Sequence, residues 1–158
     1  METLVPVSLL NSLDARTVAV QVPAANWEEA VEQAGRLLVS AGFVEETYVK
    51  AMQDTIRTIG AYLVIAPGIA MPHARPEAGV KQTGFSLITL EKPVEFGSEE
   101  NDPVDIVIGF AATDKNRHIK ALQEIAIHFS NDKFIRSIRS AQSKEALLGV
   151  IQQERKGS

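Results

Sequence analysis

Between Asn26 and Ala41 the apolar residues Trp27, Ala30, Val31, Ala34, Leu37 and Leu38 recur three and four positions apart, which gathers them on one face of a helix. Asn26 offers an N-cap and Gly42 a stop. A second helical stripe, Tyr48, Ala51, Met52, Thr55 and Ile59, runs from about Glu45 to Ile59 and ends at Gly60, so the two segments read as a helical hairpin turning at Gly42 and Phe43. Upstream, Leu4 to Leu13 has the pattern of a short helix, and Thr17 to Val22 alternates as a half-buried strand does. The pattern then changes period. Tyr62 to Ala66, Phe85 to Leu90 and Val104 to Ala112 are rich in β-branched and aromatic residues and are bounded by Gly, Pro or Asp, which predicts strands. The third, VDIVIGFAA, is almost continuously apolar, as a central strand covered on both faces must be. Helical spacing returns over Asn116 to Ser130, Lys133 to Ala141 and Lys144 to Gln153.

These elements predict an α/β fold, a mixed sheet with helices on both faces. With 158 residues and 45% hydrophobic composition, the chain suits one domain over residues 1–153, followed by a frayed tail, Glu154 to Ser158. The formal net charge of -4 argues against a general nucleic-acid surface, which depends on clustered cations. No apolar run reaches the roughly 18 residues of a membrane span, and the N-terminus lacks a basic segment before its apolar stretch, so a cytoplasmic location is expected. The absence of cysteine excludes disulfides, thiolate metal sites and a cysteine nucleophile. There is neither a GKS or GKT phosphate loop nor a GxGxxG fingerprint, and no cofactor or metal is expected. Chemistry must rest on histidine, carboxylates, hydroxyls or lysine.

One stretch stands apart, VIAPGIAMPHARPEAG from Val64 to Gly79, in which three prolines and two glycines interrupt an apolar run around His73. Proline cannot donate to a sheet ladder and glycine permits tight turns, so His73 belongs where the chain leaves the sheet in an irregular but stiff segment. Pro72 and Pro76 restrict the backbone of their preceding residues. A neutral imidazole there could attack phosphorus near pH 7 and would form a product that still transfers readily. Arg75 could neutralise phosphate oxygens through its planar fork. The same pattern also fits an ordinary loop histidine.

GIAMPHARPE, Gly68 to Glu77, resembles the phosphorylation-site pattern of the mannitol and fructose class of enzyme IIA domains of the sugar phosphotransferase system. With Tyr62 and Ile65-Ala66-Pro67 before it and Ala-Arg-Pro-Glu after the histidine, the segment resembles the ascorbate-type branch most. YVKAM on the second helix, VDIVIGFAA and NRHIKALQEIA extend the resemblance over almost the whole chain. It implies that His73 accepts a phosphoryl group from phospho-HPr and gives it to a cysteine of a separate enzyme IIB, for uptake of a sugar such as L-ascorbate through a membrane enzyme IIC. It also implies that His118 supports the phosphoryl group. Asp114 or Asn116 could cap a helix with His118 in its first turn, where the positive helix end favours a neutral ring. Against this, His118, Leu122, Ile125 and Phe129 form one stripe, as a packed histidine would.

His128 lies about 80° around that helix from His118 and reads as structural. The acidic loop with Glu99, Glu100 and Asp102 reads as a solvated turn. Relatives of this class often carry an arginine on the second helix where this chain has Thr55; Arg57 would point elsewhere, which leaves the cationic role to Arg75. Two further readings remain open: a nitrogen-type regulatory module whose His73 phosphorylation state controls partner binding, and a small-molecule-binding domain without phosphoryl chemistry.

Overall fold

A computed structural model describes residues 8–157. In chain order the elements are α1 (Leu9–Ser12), β1 (Val18–Val22), α2 (Trp27–Ser40), α3 (Glu46–Ile59), β2 (Val64–Ala66), β3 (Ile69–Ala70), β4 (Gly84–Val94), β5 (Val104–Ala111), α4 (Lys115–His128), α5 (Asp132–Ser140) and α6 (Lys144–Gly157). Five strands form one mixed sheet in the order β1-β4-β5-β3-β2. β5 therefore takes the central place that its apolar run predicts. It pairs antiparallel with β4, placing Phe85 opposite Phe110, and parallel with β3, placing Ala70 opposite Val107.

Side chains of β5 alternate between the two faces. Val107 and Ala111 pack with Ala34, Leu38, Tyr48 and Met52 beneath α2 and α3, whereas Ile106, Ile108 and Phe110 pack with Leu9, Ile125, Phe134 and Ile151 from α1, α4, α5 and α6. The single domain thus has a helical layer on each side of the sheet, as the alternation of periods predicts. The caps follow local chemistry: the Asn26 side chain accepts from Glu29 N–H, Asp114 accepts from Arg117 N–H, and Gly60 closes α3 at a φ of 79° that favours glycine.

The structure differs from the sequence reading in several places, among them β4, which runs on past Leu90 to Val94. Tyr62 belongs to a 3-10 turn, Ala61–Leu63, not to the strand that begins at Val64. β3 went unread, since two apolar residues inside a proline and glycine run carry no periodicity. The expected tail is instead helical to Gly157, because Glu154 finds a partner in His128, with His128 Nδ1 2.8 Å from Glu154 Oε2. Of the short first helix, the portion over residues 4–7 lies outside the described residues. No helix among the described residues is long and apolar enough to cross a membrane.

Close approach of α2 to the sheet depends on Gly109. A Cβ at that position would lie 2.6 Å from Ser86 Oγ and 3.3 Å from Ala34 Cβ. Ser86 cannot swing away freely, because its buried hydroxyl donates to the Ala34 carbonyl at 2.8 Å. Gly109→Ala should therefore destabilise the fold by about 1–3 kcal/mol in denaturant unfolding, the usual cost of overpacking. Adding Ser86→Ala removes the obstructing oxygen, so the double variant should lose less than the two single losses summed; strict additivity would refute the proposed collision.

Candidate active site

β3 and β5 run parallel, and the candidate site lies beyond their carboxyl ends, where chain connections open crevices in α/β sheets. After Ala70 the chain passes through Met71 and Pro72 to His73. Gly68, just before β3, adopts φ 77°, and a side chain there would also strike Asp105 Oδ1 and the Arg139 guanidinium. The signature glycine is therefore required by both backbone and space. Its carbonyl accepts from the N–H groups of Asp105 and Ile106, anchoring the segment to the start of β5.

His73 is half-buried, and its ring stacks on Phe110 with centroids 4.4 Å apart and planes 13° apart. Its Nδ1 lies 2.9 Å from the Met71 carbonyl. A carbonyl can only accept, so the neutral ring carries its proton on Nδ1 and a lone pair on Nε2. Burial is the first cause that lowers the His73 pKa, to about 4; the bond to Met71 opposes it, and the His118 charge adds to it. At neutral pH the ring is uncharged.

α4 brings His118 to the same place. Thr113 N–H donates to Thr83 Oγ1 at 3.1 Å, fixing the chain before the Asp114 cap, and His118 follows one turn into the helix. Its ring stands edge-on to both His73 and Phe110, with centroids 5.0 and 5.1 Å away. Its pKa is also lowered, through burial. The stripe that made His118 look like a packing residue does exist, with Ile125 and Phe129 buried, but its first member contacts the other histidine.

The two imidazoles, Arg75 and Lys115 line an open cavity of about 880 Å³, with Thr55 and Ile59 of α3 on another side. Thr55 occupies the site-facing position and bonds back to the Ala51 carbonyl at 2.8 Å. Arg57 turns away to Glu28 and Asp54 and lies 5.4 Å over the Trp27 ring. Arg75 is exposed, and the ion pairs among the described residues do not include one between Arg75 and Glu77. Glu77 and Asp114 line the cavity too, but two neutral rings beside the cations of Arg75 and Lys115 suit an incoming dianionic phosphoryl group.

Sequence reasoning missed Lys115, which only its place at the start of α4 brings to the cavity, and the Tyr48 hydroxyl. Tyr48 is fully buried on α3; its oxygen accepts from Ala74 N–H at 2.9 Å and lies 2.9 Å from the Phe110 carbonyl and 3.1 Å from the Ala74 carbonyl. A tyrosine on the inward face of an amphipathic helix was the available signal, since its hydroxyl needs a partner. The other features belong elsewhere: His128 is held by Glu154 beside Phe134, and Asp102 accepts from the N–H groups of Phe96, Gly97 and Ser98.

Residues 11–154 match the family described as phosphoenolpyruvate-dependent sugar phosphotransferase system, EIIA 2. Over 137 residues the chain is 44% identical to the ascorbate-specific PTS system EIIA component of Escherichia coli (strain K12), covering 86% of this chain and 89% of that protein. Among solved structures, the mannitol-specific cryptic phosphotransferase enzyme IIA CmtB from Escherichia coli superposes with a TM-score of 0.81 at 32% identity, covering 90% of this chain and 97% of CmtB. The IIA chain in the Escherichia coli complex of enzyme IIAMTL with phosphorylated enzyme IIBMTL gives 0.77 at 30% identity, over 89% and 96% of the two chains.

A histidine whose folded pKa is depressed binds more protons unfolded than folded between the two values. Its contribution is thus complete above the unfolded value near 6.5 and is lost as pH falls toward about 4. In an NMR titration His73 should remain neutral well below pH 6, and acidification through that window should destabilise the fold. A His73 midpoint near 6.5 would contradict this burial account.

Proposed function

Because this chain belongs to the phosphoenolpyruvate-dependent sugar phosphotransferase system EIIA 2 family, we propose that His73 accepts the phosphoryl group of phospho-HPr and passes it to a cysteine of an EIIB protein. The observation that carries this reading is the bond from Nδ1 to the Met71 carbonyl, which leaves Nε2 the unprotonated nitrogen beside the cavity. In the first step the Nε2 lone pair bonds to phosphorus while the bond from phosphorus to the donor breaks, its electron pair leaving with the donor. The ring gains positive charge, and the Nδ1–H bond to Met71 strengthens against it. In the second step a cysteine thiolate attacks phosphorus and the electron pair of the phosphorus–nitrogen bond returns to Nε2. The ring regains its neutral tautomer without external proton exchange.

His118 would donate a hydrogen bond to a phosphoryl oxygen, and Arg75 would neutralise the others in place of an arginine at Thr55. The identity to an ascorbate-specific relative supports L-ascorbate as the sugar whose uptake the transfer serves. Phosphoryl transfer to an ascorbate-type EIIB in preference to a mannitol-type EIIB would test that choice.

Incubation with phosphoenolpyruvate, enzyme I and HPr, followed by mass spectrometry under alkaline conditions, should add one phosphoryl group to the wild type and none to His73→Ala. Undiminished acid-labile labelling of that variant would sink the assignment. His118→Ala should still be labelled, but on the order of 10²-fold more slowly in rapid quench, as loss of a donor to developing charge implies. Equal rates would return His118 to packing alone.

Arg75→Lys keeps the charge but loses the planar fork, so it should slow transfer both from HPr and to EIIB. If both rates stay within about twofold, Arg75 is no phosphate clamp.

A further inference from the structure

We propose that Tyr48 is a positioning residue for phosphoryl transfer, its buried hydroxyl tying the chain after His73 to the end of β5 and so holding the imidazole in one pose. The inference rests on reading His73 as the acceptor. Two ties flank that residue. Before it, Phe110 N–H donates to the Pro72 carbonyl at 3.3 Å. After it, Ala74 N–H donates to the Tyr48 oxygen, whose hydroxyl donates in turn to the Phe110 carbonyl 2.9 Å away.

Both ties therefore converge on the residue whose ring stacks against His73. Pro72, Phe110, Tyr48 and Ala74 form a closed circuit with His73 suspended across it. A tyrosine that merely needed to satisfy its hydroxyl would need a single acceptor. Here the oxygen serves backbone groups of two chain segments, 26 and 62 residues away in sequence, and both contact or adjoin the imidazole.

The phenol ring packs in the core beneath the sheet and does not line the cavity, so Tyr48 acts through His73 rather than on the phosphoryl group. Its burial pushes the phenol pKa up, which keeps the hydroxyl protonated and able to donate. Without the oxygen, Ala74 N–H and the Phe110 carbonyl would lose a partner in a buried setting, and the segment would gain by shifting toward water. That shift moves the Met71 carbonyl relative to the ring and weakens the bond that selects the tautomer.

Tyr48→Phe in the full chain tests this, with Ser86→Ala as the control. The control removes another buried hydroxyl, whose acceptor is the Ala34 carbonyl on α2. In Tyr48→Phe, nitrogen NMR of the unphosphorylated protein should show a smaller fraction of the His73 Nδ1–H tautomer. The rate of transfer from phospho-HPr at saturation should fall about tenfold or more, while the half-saturating HPr concentration stays within about twofold. Ser86→Ala should lower the melting temperature and leave both His73 readouts unchanged.

A wild-type tautomer population in Tyr48→Phe would overturn the proposal, whatever the rate of transfer. Should that variant not fold, hydrogen exchange on the wild type decides: Ala74 N–H should be protected like the amides of β5, and exchange as fast as an exposed loop amide would overturn it. Tautomer and exchange need no phosphorylation. An unlabelled wild type would therefore sink the acceptor assignment separately, and unchanged tautomer populations would sink the role of Tyr48.

Discussion

The stacking of His73 on Phe110 is the contact on which the site depends, because it reconciles two opposed demands on one imidazole. For the proposed phosphoryl transfer the ring must be neutral and oriented, which burial favours, yet one nitrogen must stay open to a bulky donor. The apolar floor at the end of β5 covers one ring face and His118 stands against its edge, while the Met71 carbonyl occupies Nδ1. His73 still lines the cavity, with Nε2 the nitrogen left unprotonated. Much of the fold serves this placement: the parallel pairing of β3 with β5 sets the depth of His73, and α4, springing from the end of β5, sets that of His118.

Two carboxylates, Glu77 and Asp114, also line the cavity. Asp114, the acidic group among the cavity residues besides Glu77, is engaged with the start of α4 and with Arg117. Arg117 and the adjacent backbone bonds hold its carboxyl below the usual range, so it remains an acceptor for the helix end and does not seek a proton from either histidine. Arg75 and Lys115 remain at the rim. A negatively charged group can pair with either cation there, beside the neutral imidazoles of His73 and His118.

Much of the frame was legible in local sequence, for reasons specific to each element. The α2 and α3 stripes follow the helical period over 14 residues each, long enough to exclude other readings, and Asn26, Gly42 and Gly60 mark their ends. The nearly unbroken apolar run of β5 requires cover on both faces. β3 carried no such signal, and the helical continuation to Gly157 depends on Glu154 meeting His128 across 26 residues.

The sequence by itself determined the chemistry available: no thiol, one histidine locked among prolines, a guanidinium two residues on, and a pattern matching a phosphocarrier segment. Those features are covalent or local, and no tertiary contact is needed to read them. What only the tertiary structure decided is distance and environment. That His118 stands 5.0 Å from His73, that Arg57 turns away while Thr55 faces the cavity, and that Lys115 joins the rim follow from strand order and helix orientation. The protonation of His73 likewise depends on burial and on a carbonyl held in place, and both arise when distant segments pack together.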